Sequence, residues 1–130
     1  MKEITSREDL NLLVNTFYDN IREDELLGPI FNMHIKQEQW PAHLEKLTDF
    51  WVTVLLGEIC FKGNPILKHR IVDKNLNHTI AQHHFEQWVS LWKSTIDSLF
   101  EGSLAYRAKK TSESMAIGQF KAINVFRDSL

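Results

Sequence analysis

The sequence predicts an all-α fold, a sandwich of helices crossing at large angles. Three observations lead there. Apolar residues recur at spacings of three and four along most of the chain, and no window alternates apolar and polar residues as a half-buried strand would. The breaks between periodic stretches carry Gly, Pro or Asn, the residues that stop helices. At 130 residues the chain has the length of one domain, spanning 1–130. That is enough to bury about two-thirds of the surface its unfolded form exposes.

Each element has its own warrant. Ser6-Arg7-Glu8-Asp9 resembles a capping box and precedes Leu10, Leu13, Val14, Phe17, Tyr18 and Ile21, the stripe of a first helix. Gly28-Pro29 ends it, and "LGPIF" forms a tight corner that presses Ile30 and Phe31 inward, followed by a polar loop through Gln39. A second helix opens with Pro41 in its first turn, and Trp40, His43, Leu44, Leu47, Phe50, Trp51, Val54 and Leu55 share one broad face before Gly57 stops it. Periodicity then fails. Glu58 to Asn64 read as a loop, and "ILKHRI" has room for only a turn or two of helix. Thr79 is a plausible N-cap for a long helix bearing Ala81, Phe85, Trp88, Trp92, Ile96 and Leu99, closed by Gly102. Ser103 caps a last helix with a looser stripe of Leu104, Ala108, Met115, Ile117, Phe120 and Ile123.

Composition excludes several classes. A hydrophobic fraction of 43%, a charged fraction of 25% and a net charge of -2 are those of an ordinary globular protein, with no basic block to favour nucleic acid. The longest apolar runs fall far below the roughly 18 residues of a membrane span, and the N-terminus has no secretory apolar core. No membrane association and a cytoplasmic location are therefore expected. Cys60 is the single cysteine, which forbids an internal disulfide and agrees with a reducing compartment.

The candidate chemistry rests on histidines and aromatics. None of the six histidines, His34, His43, His69, His78, His83 and His84, forms the His-Glu-x-x-His pair of a zinc site, and the grouping of His78, His83 and His84 gives no shared-face chelate. Cys60 lacks a nucleophile's sequence context, and no Gly-rich phosphate loop occurs. What stands out is an all-α chain with eight Phe, four Trp and two Tyr, and two separated histidines: His43 on an apolar stripe and His69 in a very short helix. Alone, His43 reads as a core histidine bonded to backbone, and His69 as an exposed member of the cluster Lys68-His69-Arg70. Together they suit a flat apolar cofactor such as haem, which needs apolar side chains on both faces, one strong axial ligand and a few polar groups opposite it.

An ordered set of short motifs covers nearly the whole chain: "FY" at Phe17-Tyr18, "LGPIF" at Leu27–Phe31, Trp40-x-x-His43, "FW" at Phe50-Trp51, "LLGE" at Leu55–Glu58, Gly63-x-Pro65, His69 and Trp88. In this set the chain resembles the truncated haemoglobins, and within them the third group, which the absence of any Gly-Gly pair also fits. After His69 it runs "RIVDKNLNH", where many members of the family carry an aliphatic, proline-rich stretch.

The resemblance implies a globin-like two-over-two helical sandwich enclosing haem b. It makes His69 the proximal iron ligand and places Tyr18, His43 and Trp88 at the distal positions, where His43 faces the ligand side. Tyr18 and Trp88 also fit ordinary core stripes, and the same stripe can serve both ends. Phe31, Leu47 and Phe50 would line the haem, with Lys46 and Arg70 as candidates for its propionates. No catalytic residue is assigned. The implied function is haem-dependent binding of dioxygen, nitric oxide or carbon monoxide. Nitric oxide dioxygenation is the leading enzyme-like activity and a peroxidase-like reaction the second, both needing a reductant the sequence does not identify. The alternative is a globin-like sensor or interaction module without haem catalysis, and a weaker one is a histidine-cluster metal protein.

Overall fold

The computed structural model describes residues 1–58 and 82–128, with side chains described through Gly118. Among these residues the chain forms five α-helices: α1 (Arg7–Glu23), α2 (Gly28–His34), α3 (Trp40–Leu56), α4 (Gln82–Leu99) and α5 (Ser103–Asp128). A 3-10 turn at Gln37–Gln39 leads into α3. The broadest packing joins α4 to α5, α1 to α3 and α1 to α4, so two helix pairs face each other across the α1–α4 contact.

α1 follows its sequence pattern closely. The Ser6 hydroxyl accepts the Asp9 N–H at 3.3 Å, and Leu10, Leu13, Val14, Phe17, Tyr18 and Ile21 are all buried. Its end differs from expectation. The helix stops at Glu23, and Gly28-Pro29, expected to break structure, instead opens α2 with the proline in its first turn. Gly28 is needed for close approach, because a Cβ there would lie 2.6 Å from the Arg22 carbonyl oxygen. Part of the expected loop through Gln39 is therefore helical.

In α3 the buried face is Trp40, Thr48, Trp51, Val52 and Leu55, while His43, Leu44, Leu47, Phe50 and Val54 are half-buried. Thr48 reaches the core because its hydroxyl donates to the Leu44 carbonyl at 2.8 Å, one turn back in the same helix. Gly57 ends α3 in the left-handed conformation, φ 77°, as its place in the sequence suggested. Arg7 fastens α1 to α3 with Glu45 at 2.7 Å and Asp49 at 2.6 Å.

α4 buries Trp92, Thr95 and Ile96, and the buried residues of α5 are small: Ala105, Ala108, Ser112 and Ala116. They let the Trp92 indole N–H reach the Ala108 carbonyl at 3.2 Å. Ile117, expected on the apolar stripe, is 57% exposed. Lys2–Glu3 pairs in parallel with Phe100–Glu101, a two-residue bridge too short to show a sequence period, and it carries Ile4 into the core. The expected Thr79 cap and the short helix around His69 lie outside the described residues, as do Cys60 and His78. No helix among the described residues is long and apolar enough to cross a membrane, and no group of three or more His, Cys, Asp or Glu among them is placed to hold a metal ion.

Candidate functional site

The site is built around Tyr18. A helix turns by about 100° per residue, so Phe17 and Tyr18 leave α1 toward different neighbours. Phe17 meets Trp92 edge-on at 4.9 Å and Trp88 at 5.5 Å. Tyr18 meets one ring from α2 and two from α3: Phe31, Trp40 and His43, each with its ring centre 5.9 Å away. Trp40 and His43 stand edge-on to each other at 5.4 Å, three residues and one helical turn apart.

The polar groups of this cluster are ordered. The Trp88 indole N–H donates to the Tyr18 hydroxyl oxygen, and Tyr18 is 7% exposed. Burial pushes the phenol up to about 12, against the smaller opposite pull of the Trp88 hydrogen bond. Tyr18 therefore keeps its proton throughout the neutral range, with the hydroxyl oxygen already accepting and the O–H a donor. Of the three residues that the resemblance implies at the distal positions, Trp88 and Tyr18 thus form a relay in which Trp88 is engaged with Tyr18.

Of the residues singled out from sequence, Tyr18, His43, Trp88 and Phe31 come together here. Leu47 and Phe50 lie on the His43 side of α3, half-buried against the core. Lys46 is exposed. His69 and Arg70 lie outside the described residues. The His83 and His84 rings lie 4.2 Å apart, tilted by 33°, at the start of α4, with His83 exposed.

Three contributors, Trp40, Arg22 and Asp24, had been given no role in the site. Trp40 is 3% exposed, its indole N–H has no hydrogen-bond partner among the described residues, and the Arg22 guanidinium lies 4.7 Å over its ring. The signal was its place one turn before His43 on the same face. Asp24 ties the corner together: its carboxylate accepts the Leu26 N–H at 3.1 Å, the Leu27 N–H at 2.9 Å and the Gln87 amide at 2.8 Å, next to Trp88. Burial opposes its ionisation, and the Leu27, Gln87 and Leu26 hydrogen bonds outweigh burial and hold the carboxyl below its ordinary range.

No family model matches the chain. It is 33% identical over 100 residues, 75% of each chain, to a group 3 truncated haemoglobin of Campylobacter jejuni. Its fold matches the crystal structure of a group III truncated haemoglobin from the same organism with a TM-score of 0.83, at 28% identity and covering 95% of both chains. A relative of this similarity over three-quarters of the chain, together with a globin-like all-α fold, shows that the chain belongs to the group 3 truncated haemoglobins.

Proposed function

We propose that residues 1–130 form one haem-binding domain that holds dioxygen or another diatomic ligand beside Tyr18, with His69 as the proximal ligand of haem b. The observation that carries this reading is the buried Tyr18 phenol, coupled to half-buried Trp88 and set among Phe31, Trp40 and His43. The residues fit the cofactor. Half-buried Phe31, Leu47 and Phe50 offer apolar surface to a flat macrocycle, and the partnerless Trp40 N–H shows a buried polar group with capacity for a ligand. When bound, haem supplies an iron with one open position for a diatomic ligand.

The chain's own residues do the rest. By donating to the Tyr18 oxygen, Trp88 draws electron density from it and makes the Tyr18 O–H a stronger donor, since hydrogen bonds in a chain polarise one another. Two rigid rings hold that donor with little loss of rotamer freedom. Leu47 and Phe50 exclude water from the ligand side. His43, half-buried beside Tyr18, is placed to gate entry and to add a second polar contact. Exposed Lys46 suits a propionate at the rim, and Arg70 is the second candidate. Donors aimed at a partly negative ligand favour retention over rapid release, which supports nitric oxide dioxygenation ahead of a peroxidase-like reaction, with an external reductant and a cytoplasmic setting.

Spectra of the ferric, ferrous and carbonmonoxy forms test the proposal. The protein is expected to show a Soret band in each form. His69→Ala should lose stable haem or its proximal bond, whereas His83→Ala and His84→Ala should not. No Soret band after reconstitution would refute haem binding and favour the interaction-module reading. Unaltered ferrous and carbonmonoxy spectra in His69→Ala would refute the proximal assignment.

A further inference from the structure

We infer that the indole N–H of Trp40 is a further donor of the ligand pocket, one that strengthens the hold on anionic or partly negative ligands. The inference rests on the haem reading above. An N–H in a residue only 3% exposed almost always has a hydrogen-bond partner, and here it has none among the described residues. Its ring is not remote from the chemistry, for it lies 5.4 Å from His43 and 5.9 Å from Tyr18. By contrast, the Trp92 N–H, in the core between α4 and α5, is satisfied by the Ala108 carbonyl, and the Trp88 N–H by Tyr18. Those two indoles have acceptors within the protein, and Trp40 has none among the described residues.

Arg22 supplies the second observation. Its guanidinium sits 4.7 Å over the Trp40 ring, anchored by its Nε donating to the neutral Asn32 side chain at 3.2 Å, while the Asn32 amide donates back to the Arg22 carbonyl at 3.1 Å. A cation over the π face withdraws electron density from the indole, which makes its N–H a stronger donor and raises the local potential. An unsatisfied donor under a positive charge selects negative ligands over neutral ones. Ligand choice then has two sources, the Trp88–Tyr18 relay and the Arg22–Trp40 pair, and the second favours ligands by charge.

Fluoride binding to the ferric protein is the test, because fluoride is anionic, small and only an acceptor. Trp40→Phe should weaken fluoride binding roughly tenfold or more, the effect of one hydrogen bond to a charged acceptor, and leave carbon monoxide affinity within about twofold. Trp51→Phe, which removes an indole stacked on Trp92, should leave fluoride affinity unchanged. Equal losses in both variants, or none in Trp40→Phe, would overturn the inference while leaving haem binding intact. Failure of the wild-type protein to bind haem would overturn both. If Trp40→Phe does not fold, wild-type protein labelled with 15N-tryptophan decides: the Trp40 indole proton should move downfield in the dioxygen form relative to the carbonmonoxy form. An unmoved Trp40 resonance would refute the role.

Discussion

Phe17 and Tyr18 are neighbours on α1, and they belong to two regions built on different rules. Phe17 belongs to the core, whose buried polar groups are satisfied within the protein. The Trp92 N–H meets the Ala108 carbonyl, Thr48 and Thr95 donate one turn back to Leu44 and Leu91, and Ser112 donates to Lys109. Around Tyr18 the polar groups point at one another or at nothing. Trp88 donates to Tyr18, and the Trp40 N–H has no partner among the described residues. A core that only holds the fold takes its polar groups out of circulation with bonds inside the core, whereas a binding region leaves donors available. Placed one residue apart, the two regions let the rigid side brace the receptive one, and Trp88 faces both.

That comparison can be broken from the rigid side. Trp92 is fully buried, stacks on Trp51 at 4.6 Å and meets Phe17 edge-on. Trp92→Ala should cost about 3–5 kcal/mol, read as a lower urea midpoint, because a large cavity opens where α4 meets α1, α3 and α5. A loss under about 1 kcal/mol would show that this core is not close-packed. Thr48→Val sharpens the comparison with a much smaller effect. Its hydroxyl serves only its own helix, and valine has nearly the same shape, so stability should change by less than about 1 kcal/mol. A larger loss would mean that the helix-local bonds are structural anchors.

Much of this was legible in the sequence, and the misses have physical reasons. The α1 stripe was read correctly because all six of its inward residues are apolar. Gly28-Pro29 misled because the same dipeptide serves as a stop or as a helix start, and what decides is the close approach of Gly28 to the Arg22 carbonyl, a tertiary fact. Thr48 was left off the α3 face since its hydroxyl looks polar until it is bonded to Leu44. On α5 the eye follows large residues such as Ile117, while packing against Trp92 requires alanines. At the site, the meeting of Tyr18, His43, Trp88 and Phe31 was expected from the family resemblance. The direction of the Trp88 bond was not, because spacing carries no information on which donor is already engaged. Trp40 was hidden in plain view as one more apolar residue on a helix face.

The central claim is that Tyr18, polarised by Trp88, is the main donor to a bound negative ligand. Stopped-flow dioxygen dissociation in Tyr18→Phe, Trp88→Phe and the double variant measures it directly. Tyr18→Phe removes only the hydroxyl, so release should speed roughly 10-fold to 150-fold, the effect of one hydrogen bond of about 1.5–3 kcal/mol to a partly charged acceptor. Autoxidation should rise with it. Carbon monoxide release should change far less, as that ligand carries little negative charge on its outer oxygen. Trp88→Phe should give a smaller increase than Tyr18→Phe, and the double variant little more than Tyr18→Phe alone, because the two groups act in series. Dioxygen release unchanged within about twofold in all three variants would contradict the account.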